Sequence, residues 1–150
     1  MTTPKEREVY EKATREIIKE ASGNNLIAFD YLWQLACTSR TVDDIFDADQ
    51  EVSREQLIDA FKWLFIELPS NPFFQAHRDT LHSQHLSMWN AWIAANEWEK
   101  GDETEQIYGH VWRDTHHEVF PIVALITQGP KKMEEVSLKI RQLFKKDLGE

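Results

Sequence analysis

The chain has 150 residues, 41% of them hydrophobic and 29% charged, with a formal net charge of −9. A chain of this length buries about 68–70% of the surface that its unfolded form exposes, so a single globular domain over residues 1–150 is expected and intrinsic disorder is not. The negative charge argues against a duplex-binding protein, which needs concentrated Lys and Arg, and no apolar run nears the roughly 20 residues that cross a bilayer.

The start, Met1-Thr2-Thr3-Pro4-Lys5-Glu6, leads into a charged helix and lacks the apolar stretch of a secretion signal, so a cytoplasmic, reducing setting is expected. Cys37 is the one cysteine, which excludes an internal disulfide and a multi-thiolate metal site. Its neighbours Leu35 and Ala36 suggest a small buried hydrophobe. Lys131, Lys132, Lys139, Arg141, Lys145 and Lys146 gather near the end, but Glu134, Glu135 and Asp147 interrupt them. That mixture describes the solvated face of a helix whose cations complement its C-terminal dipole.

In chain order, Thr3-Pro4 supplies a cap and a first-turn proline for a helix over 4–21, whose stripe of Val9, Tyr10, Ala13, Ile17 and Ala21 ends before Gly23. Asn25 caps a second, central helix to about Thr38, in which Asp30 and Gln34 are polar positions among apolar neighbours. Thr41 to Asp44 starts a short helical turn. Ser53-Arg54-Glu55-Gln56 matches a capping box for a helix carrying Leu57, Phe61, Leu64, Phe65 and Leu68, which Pro69 stops. Asn71-Pro72 opens the longest helix, to about Lys100, and Asp102 to Glu105 caps the next, to about Thr127. Pro121 inside that helix predicts a kink or break near Glu118 to Phe120. A last helix follows Gly129-Pro130, with Met133, Val136, Ile140, Leu143 and Phe144 on one face. The expected fold is an all-α bundle of five main helices plus a short helical segment, with a long antiparallel hairpin at about 72–127.

The histidines give the sharpest site expectation. At about 100° per residue from His77, His85 falls at about 80°, centred in an apolar arc of Leu81, Trp89, Trp92 and Ile93, with His82 near its edge. On the following helix Glu118 falls within an arc of Ile107, Tyr108, Val111 and Val119, with Asp114 at its margin. In a hairpin whose facing positions sum to roughly 203, His85 meets Glu118. One reading is a buried His–Glu pair that fixes the register. The other takes His82, His85, Asp114 and Glu118 as metal ligands, suited to zinc, manganese or iron. The row His110, Asp114, His117 reads as a solvated face.

The aromatic residues offer further candidates. Asp30, Gln34, Trp89 and Trp92 could line a pocket for a flat ligand, whereas Trp98, with Ala91 and Ala94, projects away from the core arc and suggests a subunit contact. No serine lies in a glycine-framed elbow, and Cys37 has no histidine near it in sequence. The leading expectation is a non-enzymatic interaction or regulatory protein, acting as a homo-oligomer or on a protein partner with a basic surface, without nucleic acid or membrane. The alternatives are a metal-dependent hydrolytic enzyme, a small-molecule binding module with a Trp-lined pocket, and an acidic decoy for a nucleic-acid-binding protein.

Overall fold

The computed structural model describes residues 3–48 and 50–145; Met1, Thr2, Lys146 and Asp147 lie outside them. The fold is all-α, with no strand among the described residues. No described helix is long and apolar enough to cross a membrane. Two compact units divide at His77/Arg78.

The first unit begins with α1 (Pro4–Ser22), whose capping box is complete: Thr3 accepts from the Glu6 N–H and Glu6 reaches back to the Thr3 backbone. α2 (Leu26–Asp47) starts where Asn25 accepts from the Ile27 and Ala28 N–H groups. It runs past the expected end at Thr38 in one piece, because no Gly or Pro interrupts residues 38–46 and ion pairs tie this half to α1. Arg7 meets Asp44 at 2.7 Å and Arg40 meets Glu11 at 3.4 Å. Ile17, Ile18 and Ala21 pack with Ala28, Tyr31, Leu32 and Leu35 as the core of this unit. Leu26 and Ile27 are exposed, so α2 is buried on one side and not all round. Asp30 is exposed and Gln34 half-buried. Cys37, expected as a buried hydrophobe, is also exposed.

α3 (Arg54–Lys62) has the predicted Ser53/Gln56 capping box. It does not end at Pro69 as a plain helix. Residues Trp63–Glu67 form a π turn in which the Leu68 N–H donates to the Trp63 carbonyl, followed by the single turn α4 (Leu68–Ser70). α5 (Pro72–Ala76) is capped by Asn71, whose Oδ1 accepts from the Phe74 N–H at 3.0 Å. Phe73 and Phe74 bring rings to 5.9 and 6.1 Å from that of Tyr31, which is fully enclosed. That enclosure raises the Tyr31 pKa.

The expected continuous helix from 72 to 100 is broken at His77, where φ is −122° and ψ 24°. The second unit starts there with α6 (Arg78–Trp98), then α7 (Glu103–Arg113) under a complete Asp102/Glu105 capping box. A 3₁₀ stretch, Asp114–Glu118, separates α7 from α8 (Val119–Gln128). This is the interruption that Pro121 predicts, placed a few residues earlier. The proline ring would clash with the carbonyl four residues back in a continuous helix, whereas in the first turn of α8 its missing N–H is not needed. Gly129, at φ 96°, leads into α9 (Pro130–Lys145). Leu81, Val119, Phe120, Val123, Ala124, Val136 and Ile140 form the core of this unit.

The rotation of α6 and α7 about their own axes departs most from expectation. Their contact is built on small residues: a Cβ on Gly109 would lie 3.1 Å from the Ala95 carbonyl oxygen and 3.4 Å from Trp98 Cβ. Such close approach turns Ala95 and Met88 inward, and leaves Leu86, Trp89, Ile93, Ile107, Tyr108 and Val111 exposed. Gly109→Val is therefore expected to destabilise the second unit by about 1–3 kcal/mol through overpacking against main chain. Urea unfolding with the wild-type midpoint would show that the helices can separate at little cost.

Candidate functional site

Two polar arrangements and one aromatic one surround the α6–α7 contact. At its open end the Arg113 guanidinium from α7 meets Glu99 through two oxygens, at 2.6 and 2.8 Å, and Asn96 Oδ1 at 2.6 Å. Asn96 is buried, so this planar, two-pronged donor satisfies an acceptor that would otherwise be stranded between the helices. Trp98 sits beside it, its ring 4.3 Å from Trp112 and 6.0 Å, edge-on, from Tyr108. Trp98 is therefore half-buried against α7. The strip of Ala91, Ala94 and Trp98 expected to point outward is half-buried throughout, since small residues are what a close helix pair requires.

The second arrangement joins the 3₁₀ stretch to α9. Arg141 reaches Glu118, and its Nε lies 3.4 Å from Asp114 Oδ2. His117 Nδ1 stands 3.4 Å from Asp114 Oδ1, a contact that falls short of hydrogen-bond geometry. The ring of Phe144 covers both neighbouring imidazoles, stacked 4.5 Å from His110 and tilted 4.9 Å from His117. His117, then Arg141 and His110, hold the Asp114 carboxyl below its ordinary pKa, against the opposing effect of burial. The row His110, Asp114, His117 thus faces α9, which corrects its reading as a solvated face. A projection at 100° per residue fails across a 3₁₀ segment, where each residue turns about 120°.

The histidine pair on α6 has a different environment. His85 is half-buried and its pKa is pushed down to about 4, by burial first and by His82 second. His116 is pushed down to about 3, by burial, then by His117 and His85. Burial is the leading cause of both shifts, and it favours the neutral imidazole. Gln84 Nε2 lies 3.4 Å from the Thr115 carbonyl, which brings this part of α6 against the 3₁₀ stretch. Glu118 is turned to Arg141. Arg141 is thus the contact of Glu118, for which the sequence suggested His85.

For the proposed ligand set His82, His85, Asp114 and Glu118, the consequence is geometric. Among the described residues no group of three or more His, Cys, Asp or Glu side chains is placed to hold a metal ion. Arg141 puts a guanidinium between the two carboxylates, where a zinc, manganese or iron ion would need open coordination positions. The pocket expected from Asp30, Gln34, Trp89 and Trp92 draws on both units. Trp89 is 53% exposed, its ring 5.3 Å from that of Trp92. A shallow depression on α1 is lined by Pro4, Arg7, Glu8, Glu11, Lys12 and Arg15, and is charged instead of aromatic.

No family model, curated protein or solved structure matches this chain. The functional residues must therefore be argued from their own surroundings. Sequence reading put Arg141 on a solvated helix face and gave neither it nor Arg113 a structural partner, though these two cations join helices of the second unit. Their signal was present as buried or half-buried carboxylates and amides without local cationic partners, but the pairings join different helices and depend on the rotation of each.

The neutral histidines give a pH dependence. Both folded-state pKa values lie below the unfolded value of about 6.5, so the unfolded chain binds more protons as pH falls beneath it. Their stabilising contribution is fully present above pH 6.5 and is lost towards pH 4 for His85 and pH 3 for His116. Urea midpoints at pH 7.0, 5.5 and 4.5 should decline steadily in the wild type and less steeply in His85→Leu and His116→Leu. Parallel declines in all three proteins would assign the pH dependence to other groups.

Proposed function

We propose that this chain is a non-enzymatic interaction protein that self-associates through the outer face of α6. One observation carries the reading: Leu86, Trp89 and Ile93, spaced as one helical stripe, are 55%, 53% and 47% exposed. Leu81, Met88 and Ala95 take the inward side of α6, so this stripe of large apolar residues is left to solvent, a face suited to another surface. The expected interface through Trp98 moves to this stripe, because Trp98 is engaged by Trp112 and Tyr108. A cytoplasmic setting and the absence of nucleic acid from its partners belong to the same proposal, on the strength of the single cysteine and the negative charge.

The hydrolytic reading draws less support, since Arg141 neutralises the two carboxylates it would use and no three His, Cys, Asp or Glu side chains among the described residues are placed to share a metal ion. The small-molecule reading draws less because Trp89, its central aromatic, lies open to solvent. The decoy reading lacks a row of carboxylates at phosphate-like spacing.

Sedimentation velocity across a concentration series tests the proposal. The wild type should move from monomer to a larger species, and Trp89→Glu or Ile93→Glu should weaken that association by at least about tenfold while leaving the melting temperature unchanged. A wild type that stays monomeric at every concentration would overturn it.

A further inference from the structure

The stripe on α6 has a direction as well as a position. His82, Leu86, Trp89 and Ile93 follow one another at intervals of four, three and four residues, and all four are exposed. This is the spacing at which the seam of one helix interlocks with the seam of another. The seam reads nearly the same from either end, because Leu86 and Ile93, of similar volume, flank the much larger Trp89. Two copies laid antiparallel therefore set an aliphatic side chain against an aliphatic side chain on each side of the tryptophans.

Charge selects a second copy as the occupant. A two-fold contact sets each group against a group of the same chain, so a chain with a net charge of −9 repels its copy unless the paired faces are neutral. Those of α6 are: from Thr80 to Asn96 there is no Asp, Glu, Lys or Arg, although 29% of the chain is charged. Ser83 and Asn90, which border the stripe, are exposed, small and uncharged. The same neutrality leaves a basic partner no carboxylate to meet on this face. The helix dipoles then choose the direction. α6 carries Asp79 in its first turn and no basic residue in its last. Parallel pairing would set two such C-terminal ends side by side, whereas antiparallel pairing sets the partial positive end of each helix beside the partial negative end of the other.

We propose that two copies of this chain pair their α6 helices antiparallel, Leu86 of each against Ile93 of the other, with both Trp89 side chains beside the two-fold axis. This arrangement rests on the self-association reading and adds orientation and register to it. By symmetry the Leu86–Ile93 contact occurs twice, so a change at either residue acts twice in each dimer.

Disulfide trapping reads the register directly. On a Cys37→Ser background, where an introduced cysteine is the only thiol, Leu86→Cys is mixed with a size-tagged Ile93→Cys and oxidised with glutathione disulfide. Non-reducing electrophoresis then separates the mixed disulfide from either homodisulfide. Because a bridge needs Cβ atoms about 3.5–4.5 Å apart, the mixed disulfide is expected to exceed each homodisulfide by at least about fivefold. Glu103→Cys, exposed on α7, sets the level of chance collision. Leu86→Lys and Ile93→Glu give a second measurement, by sedimentation velocity, should the cysteines weaken pairing. Each alone is expected to associate at least about tenfold more weakly than the wild type, and their equimolar mixture to recover to within about threefold of it. In an antiparallel pair the new Lys meets the new Glu; in a parallel pair each would face an unchanged aliphatic residue. Homodisulfides in excess, with a mixture that gains nothing, would overturn the proposal in favour of parallel pairing. Cross-linking at the chance level with no recovery in the mixture, from a wild type that dimerises and is sensitive to Trp89→Glu, would overturn the register and leave self-association standing. A wild type that is monomeric at every concentration would remove both.

Discussion

Everything distinctive about the second unit depends on how closely α7 approaches α6 at Gly109. With no Cβ at that position the helices meet on the Ala95 carbonyl, at a separation that leaves no room there for a side chain on α7. Trp98 and Trp112 then close one flank and Arg113 fixes the end through Glu99 and Asn96. Once these are in place the rotation of both helices is decided. Leu86, Trp89 and Ile93 are outside because Ala95 and Met88 are inside. The exposure of large side chains is thus a consequence of packing elsewhere, which is how a small helical unit can be well ordered and still offer an apolar face.

The starts of α1, α2, α3, α5 and α7 were legible in the sequence, because caps are local chemistry. Thr3, Asn25, Ser53, Asn71 and Asp102 each cap where their spacing to the following residues implies. The all-α class and the interruption before Pro121 were legible for the same reason. What could not be read was which face of an apolar helix turns inward. α6 carries apolar residues over more than half its circumference, so periodicity alone ranks the face with Trp89 and Ile93 above the face with Ala95. Close packing on Gly109 reverses that ranking, and it depends on two segments at once.

The candidate site shows the same division. His85 and Glu118 both lie in partly buried positions, and Glu118 makes its contact with Arg141 of α9. The 3₁₀ stretch turns the chain by a different angle per residue from a continuous α-helix. A helical-wheel argument assumes one pitch throughout, and the error collects wherever the pitch changes. It also hid the association of His110 and His117 with Phe144, since α9 had no predicted place relative to α7.

The π turn at Trp63–Glu67 has a consequence of another kind. A turn closed by a bond from Leu68 back to Trp63 holds one residue more than an α-turn. It is an insertion absorbed without a loop. Everything after it is set back by about 100° relative to a helix lacking that residue, which separates the orientation of Leu68 from that of the phenylalanines before it. Loss of one residue from the turn would therefore swing the segment after it by about 100° and take Leu68 out of the buried position it holds one turn on from Trp63.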